Sequence, residues 1–387
     1  MKIVLDISYF QVKRAGYGHH TTELLNTLLK YDNENEYTLW GWSFGIDKET
    51  INHINKENIQ IKISRIPGFV KRFYFNKLKF PDIKFIVGNY DVFHSCEPLM
   101  PSVKNKKSII TIHDLAYRKY PQFFESNVLK WDKIISLNVH KADAIIVPSQ
   151  QTKIDVISIF KVPEDKVYVL YLPVNEKFYS YQDIALMEKI REKYKLYFPF
   201  ILFVGTIEPR KNIEVLVEAF EKFHNSQKSD LDLVLVGKFG WLYKPIIERI
   251  NKSPIKNRIH LLNYVPLDDL VRIYKLAEFL VYPSIYEGYG VPVLEAMASG
   301  TAVITSNSSS LVEIAGDSAM FFDPSNSEQL KDQMIMLSKD STLRKFLIDK
   351  GLERIKIFDR KKAAENVLAL YKKLLSFDNN KIFNTFH

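Results

Sequence analysis

The sequence predicts an α/β protein made of two doubly wound, parallel-sheet domains facing each other across a cleft. Three observations carry that prediction. At 387 residues the chain is longer than one hydrophobic core usually spans, so two domains are expected. Short apolar runs alternate with amphipathic stretches along nearly the whole length, as strands covered by helices on both faces would. The alternation then stops at a polar segment and starts again.

In the first series, strands are expected at 2–8, 37–42, 59–65, 91–95, 108–112, 143–147 and 167–171. Helical patterns fall between them. One covers 21–30, where Leu24, Leu25, Leu28 and Leu29 share a stripe and Thr21 or Thr22 serves as the cap; others cover 127–140 and 149–160. The polar segment is 173–198. Its Pro173 and its charged run from Glu188 to Lys195 suit a linker and a helix leading into the second series. That series opens with the buried-strand run Phe200–Gly205 and a helix over 212–224. Strands at 231–237, 259–264, 279–283, 302–305 and 319–322 follow, with helices between them and more helix from 327 to about 375. The resulting division is 1–172, 173–360, and a tail 361–387.

Composition bounds the function without choosing it. Hydrophobic residues are 46% and charged residues 26%, close to ordinary globular usage. Lys plus Arg number 54 against 45 for Asp plus Glu, a net charge of +9. Such a balance favours anionic partners, namely phosphorylated small molecules, an acidic membrane surface or nucleic acid, or it reflects no more than a Lys-rich surface. Nucleic acid is disfavoured, because the cations are scattered and no recognised binding fold fits. No apolar run approaches the roughly 18–20 residues that span a bilayer. The start, Met1 to Asp6, meets an acid too early for a secretory signal. With Cys96 alone, neither an intrachain disulfide nor a multi-cysteine metal site can form. A cytoplasmic protein is expected.

In doubly wound sheets ligands bind beyond the carboxyl ends of strands, so unusual residues just after strands are the candidates. The strongest set follows Val281-Tyr282-Pro283-Ser284 and reads E-G-Y-G-V-P-V-L-E, from Glu287 to Glu295. Gly288 and Gly290 allow a tight turn, Pro292 suits a first helical turn, and Gly300 suits a helix stop. Amides at that helix start, from Gly290 and Val291 onward, form a ready anion site. Two acids flanking such a site would repel phosphate unless each binds hydroxyls instead. The second set is G-T-I-E-P-R-K-N, Gly205 to Asn212, where Arg210 and Lys211 stand at a strand end, suited to diphosphate oxygens. The third is R-A-G-Y-G-H-H, Arg14 to His20, whose Gly16 and Gly18 permit a backbone nest. The fourth is T-I-H-D, placing His113 and Asp114 directly after an apolar strand.

These four sets, in their order along the chain, resemble the retaining GT-B glycosyltransferases, especially glycosyltransferase family 4. The run from Glu287 to Glu295 looks like that family's Glu-x7-Glu motif. The resemblance implies that Glu287 contacts the donor sugar near the reacting carbon and that Glu295 holds the nucleotide ribose. It implies that Lys211, with Arg210, neutralises the leaving diphosphate; many members carry Arg directly after the glycine, where this chain has Thr206. The Gly16–Gly18 loop would close over the diphosphate, and His113 would contact the donor sugar. Two further segments belong to the donor: G-K-F-G-W, Gly237 to Trp241, with Lys238, and Asn263-Tyr264-Val265, where Tyr264 and Val265 either read the base or are plain core and rim. The tail 361–387 looks like the family's final helix, which returns to the N-terminal domain.

The same resemblance implies a hexose donor and no metal or other cofactor. The E-P-R-K-N and G-K-x-G-W forms resemble O-antigen and capsule mannosyltransferases, so GDP-mannose is the expected donor, with UDP- and dTDP-sugars behind it. The acceptor would be a glycan or a lipid-linked glycan in surface polysaccharide synthesis. Five cations and five aromatics interleave over 65–80, a segment that is either an ordinary amphipathic helix or a contact with an anionic membrane face. Two other functions stay open: a nucleotide-sugar epimerase of the same fold, and a non-catalytic nucleotide-sugar binder.

Overall fold

The structure is a computed structural model that describes residues 1–8, 17–42, 57–64, 82–124, 132–179, 184–227 and 229–383, apart from the side chains of residues 17, 19, 42 and 377–383. Arg14, Gly16 and the segment 65–80 lie outside the described residues. The described chain clusters into two compact units. The first comprises Met1–Leu115, Asn127–Pro173 and Asp359–His387; the second comprises Ala116–Ser126 and Val174–Phe358.

The first unit is a seven-stranded sheet in the order β3-β2-β1-β4-β5-β6-β7, with every pairing parallel. Its strands are β1 (Lys2–Asp6), β2 (Glu36–Trp42), β3 (Ile59–Ser64), β4 (Val92–Ser95), β5 (Lys107–Thr111), β6 (Ala144–Val147) and β7 (Val167–Val169). Its described helices are α1 (Tyr17–Tyr31), the single turn α2 (Lys84–Val87), α4 (Asp132–Lys141), α5 (Gln150–Phe160) and the last helix, α14 (Arg360–Phe383). Another single turn, α3 (Ala116–Lys119), lies where the chain passes into the second unit.

The stripe Leu24, Leu25 and Leu28 on α1 is fully buried, as its helical spacing requires. One expectation fails there. The helix begins at Tyr17, a full turn before Thr21 and Thr22, so Gly18 sits in its first turn rather than in a loop. The threonines are not caps: Thr22 Oγ1 donates 2.7 Å back to the Gly18 carbonyl, and Thr21 is buried against Cys96. Helix α14 closes one face of this unit, its Ala363, Val367, Leu370, Tyr371 and Leu374 packing with Leu24, Leu28 and the β1 side chains.

The second unit repeats the plan with six parallel strands in the order β10-β9-β8-β11-β12-β13. These are β8 (Phe200–Val204), β9 (Asp232–Val236), β10 (Ile259–Leu262), β11 (Phe279–Tyr282), β12 (Ala302–Ser306) and β13 (Met320–Phe322). Residues of β8, β9, β11 and β12 are buried without alternation, because helices cover both faces of the sheet. The helices are α6 (Ile184–Tyr194), α7 (Ile213–Gln227), α8 (Lys244–Asn251), α9 (Leu267–Leu276), α10 (Val291–Ala298), α11 (Ser310–Ala315), α12 (Ser327–Lys339) and α13 (Ser341–Arg354). The helical stretch expected from 327 onward is thus three helices, broken where Asp340 caps α13 through the Leu343 amide and again before Arg360.

Candidate donor site at the end of β8 and β11

The order of the second sheet reverses between β8 and β11, so the loops after these two strands diverge and leave a crevice at the carboxyl edge. The loop after β8 carries Thr206 to Asn212, and the loop after β11 carries Pro283 to Gly290. Topology alone therefore brings two of the sequence-selected sets together.

The post-β8 loop ends in a single 3-10 turn, Pro209–Lys211. Asn212 stops it in the left-handed conformation, at φ 58°, and its amide group donates to the carbonyls of Pro283, at 3.1 Å, and Pro324, at 2.7 Å. Asn is among the few non-glycine residues that visit this region, and its two side-chain bonds to distant loops hold it there. Lys211 Nζ then lies 2.5 Å from Glu287 Oε1 and donates at 2.6 Å to the Tyr282 hydroxyl, which itself donates to Glu287 Oε1 at 3.0 Å. Arg210 approaches Glu287 Oε2 at 3.0 Å and pairs with Glu208 Oε1 at 2.7 Å.

All four charged side chains of this cluster are buried. Burial opposes the charge of Glu287, but Arg210 and Lys211 outweigh it and hold the carboxyl down at about 2. Burial likewise lowers Lys211 and raises Glu208, and neighbouring opposite charges pull each back. The Tyr282 hydroxyl is pushed far up by burial and by the adjacent carboxylate, so it stays protonated and can donate.

Glu287 sits on a loop stitched to the segment after β12. Its amide donates to Ser309 Oγ at 2.8 Å, and Ser310 Oγ donates to the carbonyls of Glu287, at 2.9 Å, and Tyr289, at 3.0 Å. Ser306 and Ser308 bond the carbonyls of Ser284 and Ile285. Ser309 holds φ 51°, another left-handed backbone beside the site. Gly290 follows at φ 104° and starts α10 with no side-chain cap, with Pro292 in the first turn. Val291 thus carries the first helix amide, next in sequence to the Glu287 loop; Pro292 has no N–H, and the amides of Val293 and Leu294 donate to the Gly290 carbonyl at 3.0 and 3.4 Å. Glu295, one turn in, is also buried, but its Oε2 accepts from the Tyr274 hydroxyl at 2.8 Å, apart from the Lys211 cluster.

The G-K-F-G-W loop folds onto the post-β8 loop through a short parallel bridge: the Ile207 amide donates to the Lys238 carbonyl at 2.8 Å, and the Gly240 amide to the Ile207 carbonyl at 3.0 Å. Both glycines are needed for this close approach. A Cβ on Gly237, whose φ is 156°, would fall 1.8 Å from the Gly205 carbonyl oxygen, and one on Gly240 would meet Thr206 Cγ2 at 2.6 Å. Lys238 Nζ lies 4.5 Å from the centroid of the Tyr264 ring. Tyr264 is half exposed and Val265 is buried, so of that pair Tyr264 is the surface residue. Trp241 donates its indole N–H to the Phe123 carbonyl and stacks on Phe124 at 5.3 Å.

In the first unit, His113 follows β5. Its Nε2 donates to the Cys96 carbonyl at 2.8 Å, which leaves Nδ1 as the acceptor of the ring, and the His20 ring stands edge-on 4.4 Å away. Burial drives His113 down to about 4, so the imidazole is neutral at physiological pH. Gly18, His20 and His113 thus share the carboxyl edge of β1 and β5.

Sequence reasoning missed Glu208, Tyr274, Tyr282 and the serines of S-N-S-S-S. The serine run after an apolar strand was the available signal; the two tyrosines read as core residues and gave none.

Residues 187–354 match the family model "Glycosyl transferases group 1", and residues 15–178 match "Glycosyltransferase Family 4". The O-antigen chain mannosyltransferase B of Escherichia coli is 27% identical over 285 residues, covering 73% of this chain and 74% of its own. The serotype-specific mannosyltransferase WbdA of Escherichia coli is 30% identical over 269 residues, 66% of this chain but only 32% of its own length. Among solved structures, the sucrose-phosphate synthase of Thermosynechococcus elongatus superposes with a TM-score of 0.76 at 19% identity, over 97% of this chain and 99% of its own. Anabaena HepE, solved with UDP-glucose, superposes with a TM-score of 0.72 at 15% identity, over 96% and 100%. Two Rossmann-like parallel sheets and these matches show a chain with the GT-B fold that carries a Glycosyltransferase Family 4 domain and a Glycosyl transferases group 1 domain.

Proposed function

We propose that the protein is a retaining, metal-independent mannosyltransferase that moves mannose from GDP-mannose to a glycan or lipid-linked glycan acceptor. The observation that carries this reading is the buried contact of Lys211 with Glu287 beside the start of α10. A diphosphate laid against the Val291 amide would meet Lys211, and Glu287 would turn from that cation to hydroxyls of the donor sugar. Glu295, already held by Tyr274, would take the ribose hydroxyls. His113 would accept a hydrogen bond from the donor sugar through Nδ1. The bond from the anomeric carbon to the phosphate oxygen breaks, and its electron pair leaves with the diphosphate. The acceptor oxygen bonds the same face of that carbon, and its proton passes to the departing phosphate. Lys211 and the Val291 amide carry the leaving charge in this scheme, so chelators are expected to leave the rate unchanged.

Mannose is preferred because mannosyltransferases of Escherichia coli are among the relatives that match two thirds or so of this chain. Because HepE carries UDP-glucose on the same fold, UDP-glucose is the natural control. Thermal shift with GDP-mannose, UDP-glucose and dTDP-sugars should single out GDP-mannose. Transfer followed by NMR of the product should give an α-linked mannose, and Glu287→Ala should lower turnover about a thousandfold. Near wild-type turnover in that variant would falsify the assignment. Any association with the membrane through 65–80 is a separate proposal, tested by flotation with vesicles rich in anionic lipid.

A further inference from the structure

The turn after β8 sends its two cations in different directions. Lys211 points its single ammonium at Glu287 and Tyr282. Arg210 instead spans several residues of its own unit. Nη2 donates to Glu208 Oε1 at 2.7 Å, Nη1 donates to the Tyr286 carbonyl at 2.7 Å and lies 3.0 Å from Glu287 Oε2, and the Arg210 carbonyl accepts from the Ile285 amide at 3.0 Å. Arg210 therefore grips three consecutive residues of the loop that carries Glu287. Glu208 is 1% exposed and lies under the Gly240 turn, where an added Cβ would meet its own Cβ at 3.3 Å. It is too deep to meet a substrate.

We propose that Glu208 and Arg210 are a positioning pair for the Glu287 loop, and that Lys211 alone in this turn receives the diphosphate. The inference rests on the proposed transfer reaction. Two arguments support it. A guanidinium is a rigid planar fork, so turning it toward a phosphate would break its bonds to Glu208 and Tyr286 together. Charge balance points the same way. Two carboxylates and two cations make the cluster neutral, and Glu208 satisfies Arg210 locally. When a diphosphate takes Lys211, Glu287 is released toward the sugar while Arg210 still anchors its loop.

The test compares Lys211→Ala, Arg210→Lys and Glu208→Gln in the full chain, by GDP titration calorimetry and by GDP-mannose turnover. Lys211→Ala should weaken GDP binding about thirtyfold, as loss of a charged contact does. Arg210→Lys and Glu208→Gln should bind GDP within about threefold of wild type, keep KM, and lose kcat about a hundredfold, the effect of misplacing a reacting group by about 1 Å. A merely structural role would lower binding and turnover together. If either variant weakens GDP as much as Lys211→Ala, or leaves kcat intact, the positioning pair is overturned. Should Glu208→Gln fail to melt cooperatively, Glu208→Asp takes its place in the same comparison. A wild-type chain that binds none of GDP, UDP and dTDP overturns the transfer reading itself, and the pair with it.

Discussion

Removing one member of a buried ion pair strands its partner, and Lys211 and Glu287 are both buried. Lys211→Met should cost about 3–5 kcal/mol in urea unfolding, and the double variant Lys211→Met/Glu287→Gln clearly less than the sum of the two single changes. Additive losses would refute the coupling. His94 offers a pH-dependent counterpart. It is fully buried, with Nδ1 2.7 Å from the Tyr371 hydroxyl and Nε2 3.1 Å from Thr111 Oγ1, and burial pushes it down to about 3. Because its folded value lies below its unfolded value near 6.5, its contribution is present above pH 6.5 and is lost as pH falls toward 3. Between pH 7 and 4.5 the first unit should lose about 2–3 kcal/mol on this account. His94→Gln should remove that share of the slope and leave the share of His113, which burial also holds low, whereas an unchanged slope would show that His94 contributes none of it. At this scale the sequence was partly legible. Glu287, Lys211 and His113 stood out by type and spacing, but Tyr282 and Tyr274 did not, because a core tyrosine and a carboxylate-holding tyrosine look alike until their hydroxyls are placed.

Elements were easier to read than residues, since burial on both faces of a parallel sheet writes long apolar runs into the chain. All thirteen strands expected from those runs occur within a residue or two of their predicted ends. The start of α1 was misplaced because Thr21 and Thr22 imitate a cap while bonding within the helix and to the core. Loops follow a different logic. Gly237 and Gly240 were read as part of a donor motif, but the structure gives them a packing duty as well: they let one loop lie on another. The two substitutions should therefore differ. Gly237→Ala meets backbone at 1.8 Å and should cost about 3 kcal/mol or more, with loss of donor binding; Gly240→Ala meets a methyl group of Thr206 that can rotate away, and should cost about 1 kcal/mol. Equal melting temperatures for the two variants would contradict this account.

Across the whole molecule, one architecture is used twice, and each sheet offers a switch point, between β1 and β4 and between β8 and β11. That plan was visible as a restart of the strand–helix alternation. What could not be seen was the membership of 116–126, which lies between β5 and β6 of the first unit in sequence yet clusters with the second. Its Tyr120 ring lies 5.8 Å from Tyr286, a contact 166 residues apart that no local pattern encodes. The last helix is tied into the first unit by a buried pair: Arg360 Nη2 lies 2.5 Å from Glu23 Oε2, and Nη1 donates to Thr27 Oγ1 at 3.1 Å. Arg360→Met should cost about 3 kcal/mol or more, because it strands Glu23. Arg360→Met with Glu23→Leu should recover most of that loss, and failure to recover would show that the pair does more than balance charge.

That tie also has a consequence for how the protein is made. Helix α14 supplies core side chains to a sheet whose first strand is Lys2–Asp6, so the first unit stays open until Leu374 has been made. The second unit, with its strands between Phe200 and Phe322, needs nothing translated after Phe358. Domains commonly fold in the order of synthesis. Here the order should invert, with the later sheet closing first and the earlier one waiting on the ribosome for its final helix.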